Sequence, residues 1–419
     1  MSWQMRTLGE FISIKHGWAF KGEFFSSDGK YLLLTPGNAH ETGGLKLRPG
    51  KEKFYLGEFP SDFLLRAGDM LVIMTDLIQA APILGGAIVV PEDDRYLHNQ
   101  RLGLVEYLPD TSIDKAFLYY VLNSPAYRAQ VRGSATGATV RHTAPKRICG
   151  CKILVPDTLD EQRQVAGVLA AYDDLIATNQ RRIALLEDAA RRLYREWFVQ
   201  LRFPGYELVP VQDGVPEGWQ PATFAELVEV NPRTPFPKGI DRPFVEMSAL
   251  SETSMVIGQP SMRVIGGGAK FKNGDTLFAR ITPCTENGKS GFVQFLEDDD
   301  AVASGSTEFI VFRSAKVNPW WVYCMAREGN FREHAIRSMS GSDGRQRVSP
   351  KCFDQFATLK PPQLVLDQFE QAVKDSFVHI QILCKQNVQL ARARDLLLPK
   401  LMSGQLDVSG IPLPDEVSA

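Results

Sequence analysis

The stretch Thr158-Leu-Asp-Glu161 opens a segment, residues 157–203, that predicts one long helix in the middle of the chain. A hydroxyl residue followed three positions later by a carboxylate has the spacing of a capping box, in which each side chain bonds to the backbone amide of the other residue. Pro204-Gly205 is typical of a helix end. At about 1.5 Å per residue, roughly forty residues would form a rod of about 60 Å.

Apolar residues recur inside this segment at alternating spacings of four and three, which is the heptad pattern of a coiled coil. This stripe comprises Val165, Leu169, Tyr172, Ile176, Asn179, Ile183, Leu186, Ala190, Leu193 and Trp197. Seven charged residues lie outside the stripe and are expected to be solvated: Arg181, Arg182, Glu187, Asp188, Arg191, Arg192 and Arg195. A stripe this narrow predicts a partner helix. The alternative is a core helix that is covered by its own domain.

The composition indicates a globular protein of more than one domain. The 419 residues suffice for two or three domains, and 44% hydrophobic with 23% charged residues is ordinary for a soluble protein. No apolar run approaches the roughly 20 residues of a membrane span. The six cysteines form no Cys-x-x-Cys pair, which predicts reduced thiols, no zinc site and a cytoplasmic location. The net charge of −2 means that any nucleic-acid binding must come from local patches or from partners.

Several short stretches occur twice in the same order. Thr7-Leu-Gly-Glu10 recurs as Thr223-Phe-Ala-Glu226, and Pro145-Lys146 recurs as Pro350-Lys351. The offset between the copies drifts only from 216 to 205 residues along the chain. The sequence therefore predicts a direct repeat of one unit, a globular domain followed by a helix.

The second helix is predicted to begin near Leu366-Asp367. Its stripe comprises Val373, Phe377, Ile380, Cys384, Asn387 and Ala391, and Arg394 also falls on it. Pro399 is expected to kink or end the helix. Asn387 and Asn179 hold equivalent places in the two stripes, and a buried Asn can fix the register of paired helices.

The expected fold class is α+β, with two β-rich target-binding domains separated by two long antiparallel coiled-coil helices in a pseudo-twofold internal repeat. The predicted segments are a first globular domain (1–155), a central spacer helix (156–203), a second globular domain (204–362), a distal spacer helix (363–407) and a tail (408–419). Some stripe residues are expected to form the contacts between the two helices or between a helix and another subunit. They are Leu169, Tyr172, Ile176, Asn179, Ile183, Leu186, Phe377, Ile380 and Asn387.

Enzyme motifs are incomplete in this sequence. Gly288-Lys-Ser290 resembles the end of a phosphate-binding loop, but Pro283 stands where the motif requires its first glycine. Asn318-Pro-Trp-Trp321 resembles the loop of amino-methyltransferases, but its second proline is missing and no glycine-rich cofactor loop precedes it. We therefore expect no catalytic residues, no metal and no cofactor in this chain.

Basic residues cluster at equivalent places in the two repeats. Between positions 128 and 156 there are six Lys and Arg residues and no acid. Glycine and serine are interleaved with them, as in loops that approach a phosphate backbone. From local charge and position, the candidate DNA-binding residues are Lys15, Trp18, Lys21, Arg128, Arg132, Arg141, His142, Lys146, Arg280, Lys289, Arg337, Arg345, Arg347 and Lys351. The alternative is a solvated face, or cations paired with carboxylates. Two such modules about 34 Å apart would contact one face of a duplex.

The whole chain resembles the DNA-specificity (S) subunit of Type I restriction–modification systems. The most telling stretch is Phe271-Lys-Asn-Gly-Asp-Thr-Leu-Phe-Ala-Arg-Ile-Thr-Pro-Cys-Thr-Glu-Asn-Gly-Lys289. Gly17-Trp-Ala-Phe-Lys21, Pro156-Asp-Thr-Leu-Asp-Glu-Gln162 and Leu397-Leu-Pro-Lys-Leu-Met-Ser-Gly404 also resemble the family pattern.

This resemblance implies two target-recognition domains, each of which reads half of an interrupted double-stranded DNA sequence. It implies two methyltransferase subunits and restriction or translocase subunits as partners, with S-adenosylmethionine and ATP bound by those partners. Two alternatives remain: a methyltransferase or nuclease fused to its own recognition domain, and a protein-binding coiled-coil scaffold whose globular ends do not bind DNA.

Overall fold

The chain folds into two compact units, Met1–Ile176 with Gln389–Ala419 and Ala177–Val388. The structure is a computed structural model that describes residues 2–48, 50–235, 239–264, 267–298, 300–342, 344–408 and 411. We call the first unit 1 and the second unit 2. Both long helices pass from one unit to the other, so each unit contains part of each helix. This division does not test the five segments expected from the sequence, which stay a prediction, and most of the predicted tail lies outside the described residues.

Unit 1 is a mixture of short strands and helices. In chain order its elements are β1 (Trp3–Thr7), β2 (Ile12–His16), β3 (Phe25–Ser26), β4 (Tyr31–Leu34), β5 (Phe54–Tyr55), β6 (Met70–Ile73), β7 (Thr75–Asp76), β8 (Ala87–Val89), β9 (Tyr96–His98), β10 (Leu102–Tyr107), α1 (Lys115–Asn123), α2 (Pro125–Gly133), β11 (Arg141–His142), α3 (Pro145–Cys149), β12 (Lys152–Pro156) and the first part of α4 (Leu159–Tyr194). Its two larger sheets have the strand orders β2-β10-β6-β8 and β3-β5-β4-β9.

Unit 2 has the same kind of composition. Its elements are β13 (Val211–Gln212), β14 (Val215–Pro216), β15 (Gln220–Thr223), α5 (Phe224–Leu227), β16 (Val228–Val230), β17 (Asp241–Val245), β18 (Ser261–Val264), β19 (Ala269–Phe271), β20 (Thr276–Ala279), β21 (Ser290–Phe292), β22 (Ala303–Gly305), β23 (Phe309–Ser314), α6 (Pro319–Ala326), α7 (Gly329–Arg337), β24 (Ala357–Lys360) and most of α8 (Gln363–Met402). Its two larger sheets have the orders β16-β23-β20-β21 and β18-β17-β22-β19.

The internal repeat is confirmed by the strand pairing. β1 pairs antiparallel with β12, the last strand before α4, and β15 pairs antiparallel with β24, the last strand before α8. In the next sheet β2-β10-β6-β8 corresponds strand by strand to β16-β23-β20-β21. Capping boxes at Thr7 and Thr223 open equivalent helical turns after β1 and β15. The mixed helix and strand content expected from the sequence is also confirmed.

α4 begins at the predicted capping box. The Glu161 amide donates to Thr158 Oγ1 at 3.2 Å, and the Thr158 amide donates to Glu161 Oε2 at 3.3 Å. The α-helix ends at Tyr194 and continues as a π-helical turn over Arg195–Val199, so the helix is shorter than the predicted range to residue 203. The aromatic side chain of Tyr194 is fully buried, which places this end of the helix in the unit 2 core.

The apolar stripe of α4 serves the core of each unit as well as its helix partner. In unit 1, Val165 and Leu169 are buried in the same cluster as α1 and the end of α8. In unit 2, Ile183 and Ala190 are buried with α6 and the start of α8. A core helix was the alternative to a spacer helix, and α4 has that role at both ends.

Glu187 corrects the expectation that every charged residue outside the stripe is solvated. Its side chain is only 3% exposed. The carboxylate accepts hydrogen bonds from the Tyr323 hydroxyl at 2.5 Å, the Met255 amide at 2.8 Å and the Ser254 hydroxyl at 3.1 Å. These three donors compensate for the loss of water around the carboxylate. Arg195 is also engaged, because its Nε lies 2.9 Å from Glu328 Oε1.

α8 continues through Pro399 to Met402, so the proline does not end the helix. Because Pro399 has no backbone N–H, it cannot donate the helical hydrogen bond to the carbonyl four residues earlier. Arg394, the cation that falls on the stripe, is accommodated in unit 1. Its Nη1 lies 2.5 Å from Asp173 Oδ1, and Asp173 also accepts a hydrogen bond from the Tyr120 hydroxyl at 2.8 Å.

Two findings concern the chain as a whole. None of the described helices combines the length and apolar character that a membrane crossing requires. The six cysteines are free thiols.

Candidate nucleic-acid interface

In unit 1 several loops meet at one edge of the sheet that contains β6 and β10. The Met74 amide donates to the Arg101 carbonyl at 3.0 Å, and the Thr143 amide donates to the Met74 carbonyl at 3.0 Å. The turn between β9 and β10 joins this edge through the Gln100 amide, which donates to the Trp18 carbonyl at 3.0 Å. The backbone thus brings the segments around residues 18, 74, 101 and 142 together.

Aromatic and cationic side chains stack at this edge. The Trp18 side chain is 40% exposed, and its ring centroid lies 5.4 Å from that of Phe63. Lys15 Nζ lies 5.4 Å from the centre of the same Phe63 ring. Lys21 is exposed, with Nζ 4.0 Å from Glu23 Oε1. An exposed aromatic ring beside ammonium groups can contact bases and phosphates together.

Arg128 does not belong to this surface, which corrects its place among the candidates. It is 4% exposed, and its guanidinium donates to the Glu41 carbonyl at 2.5 Å and to the Pro82 carbonyl. Burial lowers the pKa of this guanidinium from its ordinary value. Arg128 therefore braces two loops of unit 1.

The other unit 1 candidates differ in how freely they are presented. Half-buried Arg141 donates from Nη2 to the Arg132 carbonyl at 3.1 Å, and Arg132 itself is half-buried. His142 is exposed on β11, with Nδ1 3.1 Å from Thr75 Oγ1. Lys146 is exposed on α3.

Unit 2 repeats the arrangement of this edge. The Arg280 amide donates to the Glu308 carbonyl at 3.0 Å, and the Val348 amide donates to the Arg280 carbonyl at 2.8 Å. Arg347 forms single-residue bridges with Ile281 and with Ser340. By these matching bonds Arg280 corresponds to Met74, Glu308 to Arg101, and Arg347 to His142.

A cleft of about 430 Å³ opens beside this edge in unit 2. Three basic residues line it, namely Arg233, Lys270 and Arg280, together with polar Thr234 and Thr307. Arg280 is half-buried at the end of β20, and Arg233 is exposed after β16. A concave surface with several cations concentrates positive potential, so it favours an anionic ligand such as a phosphate.

Glu308 and Arg347 form a two-point ion pair next to the cleft. Arg347 Nε lies 2.9 Å from both carboxylate oxygens, and Nη2 lies 2.8 Å from Oε1. The hydrogen bonds from Arg347 lower the pKa of Glu308, and the same bonds raise the pKa of Arg347. Both groups are therefore charged near neutral pH.

The remaining unit 2 candidates separate into engaged and exposed groups. Lys289 donates from Nζ to the Met247 carbonyl at 3.0 Å, so it supports a loop. Arg337 is exposed with Nη2 3.7 Å from Glu333 Oε2. Arg345 and Lys351 are exposed on either side of Arg347.

The paired asparagines of the two helices meet in unit 2. Asn179 Nδ2 donates to Asn387 Oδ1 at 3.0 Å, and Arg182 Nη2 lies 3.1 Å from His379 Nε2. Residue numbers therefore increase along α4 as they decrease along α8, which makes this pairing antiparallel. Among the other predicted stripe residues, Ile183, Phe377 and Ile380 are buried in unit 2 and Leu186 packs against the same cluster, while Leu169 is buried and Tyr172 and Ile176 are half-buried in unit 1.

Four residues of this interface were not predicted from the sequence: Arg101, Arg233, Lys270 and Glu308. Arg101 and Glu308 both precede a strand that is equivalent in the two repeats, so alignment of the repeats would have drawn attention to them. Arg233 and Lys270 are single cations in ordinary polar stretches, and only the folded sheet brings them to one cleft.

Comparisons with known proteins agree on one family. The model of the Type I restriction modification DNA specificity domain matches residues 1–188. The Type I restriction enzyme MjaIX specificity subunit of Methanocaldococcus jannaschii is 22% identical over 323 residues, covering 73% of this chain and 72% of the relative. The EcoEI specificity subunit of Escherichia coli is 28% identical over 180 residues, or 41% of this chain and 29% of the relative.

A solved structure shows the same fold at low sequence identity. The crystal structure of the S subunit of the Type I restriction–modification system from M. genitalium has a TM-score of 0.54 to this chain. It is 15% identical, and the match covers 96% of both chains.

Proposed function

We propose that this chain, which belongs to the family of DNA-specificity subunits of Type I restriction–modification systems, recognises a bipartite, interrupted DNA sequence. Each unit reads one half of that sequence, and the two long helices set the length of the spacer between the halves. The family has a DNA-sequence specificity role in restriction–modification complexes. Its specificity subunits are non-catalytic, since methylation and cleavage reside in partner subunits.

One observation carries the bipartite proposal. Both units hold exposed basic side chains on backbone segments that are equivalent in the repeat: His142 with Arg101 in unit 1, and Arg347 with its neighbours in unit 2. A protein that reads two half-sites needs two such surfaces of the same architecture and different side chains. The differing residues at equivalent positions suit two half-sites of different sequence.

The basic residues divide into two roles under this proposal. Flexible, exposed lysines such as Lys21, Lys146 and Lys351 neutralise phosphates without regard to sequence. The cleft with Arg233 and Arg280 holds a backbone phosphate close to the reading edge of unit 2. Since the net charge of the chain is −2, partner subunits add to the attraction for DNA.

The long helices provide docking surface for two methyltransferase subunits and, through them, restriction subunits. Large apolar side chains are exposed on these helices, among them Leu185 on α4 and Val378 and Ile382 on α8 of unit 2. Val378 and Ile382 are four residues apart and so share one face of α8. We assign S-adenosylmethionine and ATP to the partner subunits, and we place the complex in the cytoplasm, where it meets the DNA.

The test is co-expression of the full chain with its cognate methyltransferase subunit, followed by mapping of methylated adenines in the host DNA. We expect a single interrupted motif that disappears when either chain is omitted. Methylation by this chain alone would overturn the non-catalytic assignment. Methylation without an interrupted motif would overturn bipartite reading.

A binding experiment distinguishes DNA recognition from a scaffold role. The affinity of the complex for DNA should fall with salt, with a log–log slope that is reduced by about 0.9 for each phosphate contact removed. Alanine at Lys146 and Lys351 should therefore lower the slope and leave the motif unchanged. An affinity that does not depend on salt would favour a scaffold that binds proteins instead.

A further inference from the structure

We infer that Arg347 reads a guanine in the major groove and that Glu308 is the positioning residue that holds its guanidinium in the reading orientation. This inference rests on the proposed function, and it names one base and two residues for the half-site of unit 2.

The geometry of the ion pair leaves the reading edge of the guanidinium available. Glu308 accepts from Nε and Nη2, at 2.8 to 2.9 Å. An arginine has five N–H donors in a planar fork. Because Glu308 occupies the Nε side of the fork, both Nη1 hydrogens and one Nη2 hydrogen remain available for another acceptor. Among the described residues none accepts from Nη1. The O6 and N7 atoms of guanine require two such parallel donors from the end of the fork.

The backbone of Arg347 is fixed on both sides. Its amide donates to the Ser340 carbonyl at 2.9 Å, and the Ser340 amide donates to the Arg347 carbonyl at 3.1 Å. The next residue, Val348, is buried and bonded to the Arg280 carbonyl. The side chain is nevertheless 44% exposed. A rigid backbone with an exposed and oriented guanidinium loses little conformational freedom when it meets a base edge.

The repeat supplies an internal comparison. The unit 1 residues that correspond to Glu308 and Arg347 are Arg101 and His142. Unit 1 thus has an imidazole where unit 2 has a guanidinium, and a cation where unit 2 has the carboxylate. The backbone hydrogen bonds that place these positions are equivalent in the two units, so the side chains at the edge differ more than the backbone that carries them.

The experiment maps methylated adenines in cells that express the methyltransferase subunit with the full chain or with Arg347→Lys or Glu308→Gln. A lysine cannot donate as a planar fork, so Arg347→Lys should lower the preference for guanine at one position of one half-site by about 5- to 150-fold. Glu308→Gln should relax the same position to a smaller extent, because a neutral amide holds the guanidinium less firmly. The other half-site should keep its sequence.

A second exposed pair provides the matched control. Arg95 Nη1 lies 2.7 Å from Glu92 Oε1 in unit 1, just before β9 and at the opposite end of that strand from the Arg101 turn. Arg95→Lys should leave the motif as it is in the wild type.

The outcomes separate this inference from the proposed function. Uniformly weaker methylation of an unchanged motif would mean that the Glu308–Arg347 pair only supports the fold, and it would overturn the inference while bipartite reading stands. Relaxation in both half-sites would also overturn it. If the wild type produces no motif, the proposed function fails and this inference fails with it.

Discussion

Replacement of Glu187 by alanine should destabilise unit 2 far more than replacement of the adjacent, exposed Asp188. The side chain is buried near the C-terminal end of α4, and three donors from two other segments converge on it. Alanine has a higher helix propensity than glutamate, so the helix itself is not weakened. The stability is lost because the hydrogen-bond donors remain after their acceptor has been removed.

The magnitude follows from counting those donors. The Tyr323 hydroxyl and the Met255 amide are buried and would have no acceptor, whereas the half-exposed Ser254 hydroxyl can turn towards water. A buried donor left without a partner costs about 1–3 kcal/mol. The expected loss is therefore about 2–6 kcal/mol in the free energy of unfolding of unit 2. That is a large fraction of the about 5–15 kcal/mol that holds a typical domain folded.

Tryptophan fluorescence during urea unfolding measures this loss. Four of the six tryptophans, Trp197, Trp219, Trp320 and Trp321, lie in unit 2, so the signal reports mainly on that unit. Asp188→Ala is the matched control, one residue further along the helix. Its carboxylate is 48% exposed and pairs with Arg192 at 2.7 Å, an exposed helical ion pair worth about 0.3–0.5 kcal/mol.

Equal effects of the two substitutions would refute the reasoning. A loss below about 0.5 kcal/mol for Glu187→Ala would mean that water replaces the carboxylate as the acceptor. Glu187→Gln sharpens the test, because its amide oxygen can still accept while its amide nitrogen faces a donor. It should fall between the wild type and the alanine variant.

Three further predictions concern other parts of the chain. Asn179→Leu removes the donor to Asn387 Oδ1 and should cost about 0.5–1.5 kcal/mol in urea unfolding, because Asn387 is half-buried. Leucine at both positions should restore most of the stability but reduce co-purification with the methyltransferase subunit, and equal co-purification of all variants would contradict a role in register. Burial lowers the pKa of His98 to about 4, against 6.5 in the unfolded chain. Its contribution to the stability of unit 1 is therefore complete above about pH 6.5 and falls by about 3 kcal/mol as the pH drops towards 4. A His98→Gln variant should lack this part of the pH profile, and parallel profiles of the variant and the wild type would disprove the role of His98. Gly17→Ala would put a Cβ 2.2 Å from the Asn99 carbonyl oxygen and should shift the neighbouring aromatic segment. Methylation mapping should then show reduced sequence preference in one half-site only. An equal reduction in both half-sites would mean that the units do not read independently.

The heptad periodicity and the capping motifs predicted the two long helices and the internal repeat, because both kinds of pattern depend on local chemistry. The Thr158–Glu161 box opens α4, and the asparagines at equivalent places of the two stripes are hydrogen-bonded to each other. The repeat was visible because capping residues and turn residues recur in order even where the side chains between them differ. These are properties that a short window of sequence contains.

Burial of polar groups could not be predicted in the same way. Glu187 and Asp188 are adjacent carboxylates on one helix, yet one is buried and the other exposed. The difference is made by Tyr323 and Met255, which are distant in sequence. Arg128 was placed on the surface for its charge alone, whereas two backbone carbonyls from separate loops enclose it. Which cations bind a partner and which brace the fold is decided by contacts that only the folded chain defines.

The division of unit 1 into Met1–Ile176 and Gln389–Ala419 has a consequence for synthesis on the ribosome. Leu401, Met402 and Val408 are buried in the same core as Phe117 and Leu169. When the first 176 residues leave the ribosome, part of their apolar core is therefore uncovered. It stays uncovered until the whole of unit 2 and the segment Gln389–Ala419 have been synthesised. Unit 2 is continuous in sequence and can close as soon as residue 388 leaves the exit tunnel. The portion made first is thus completed last, and a nascent chain that stalls after unit 2 offers chaperones and proteases the unfinished core of unit 1.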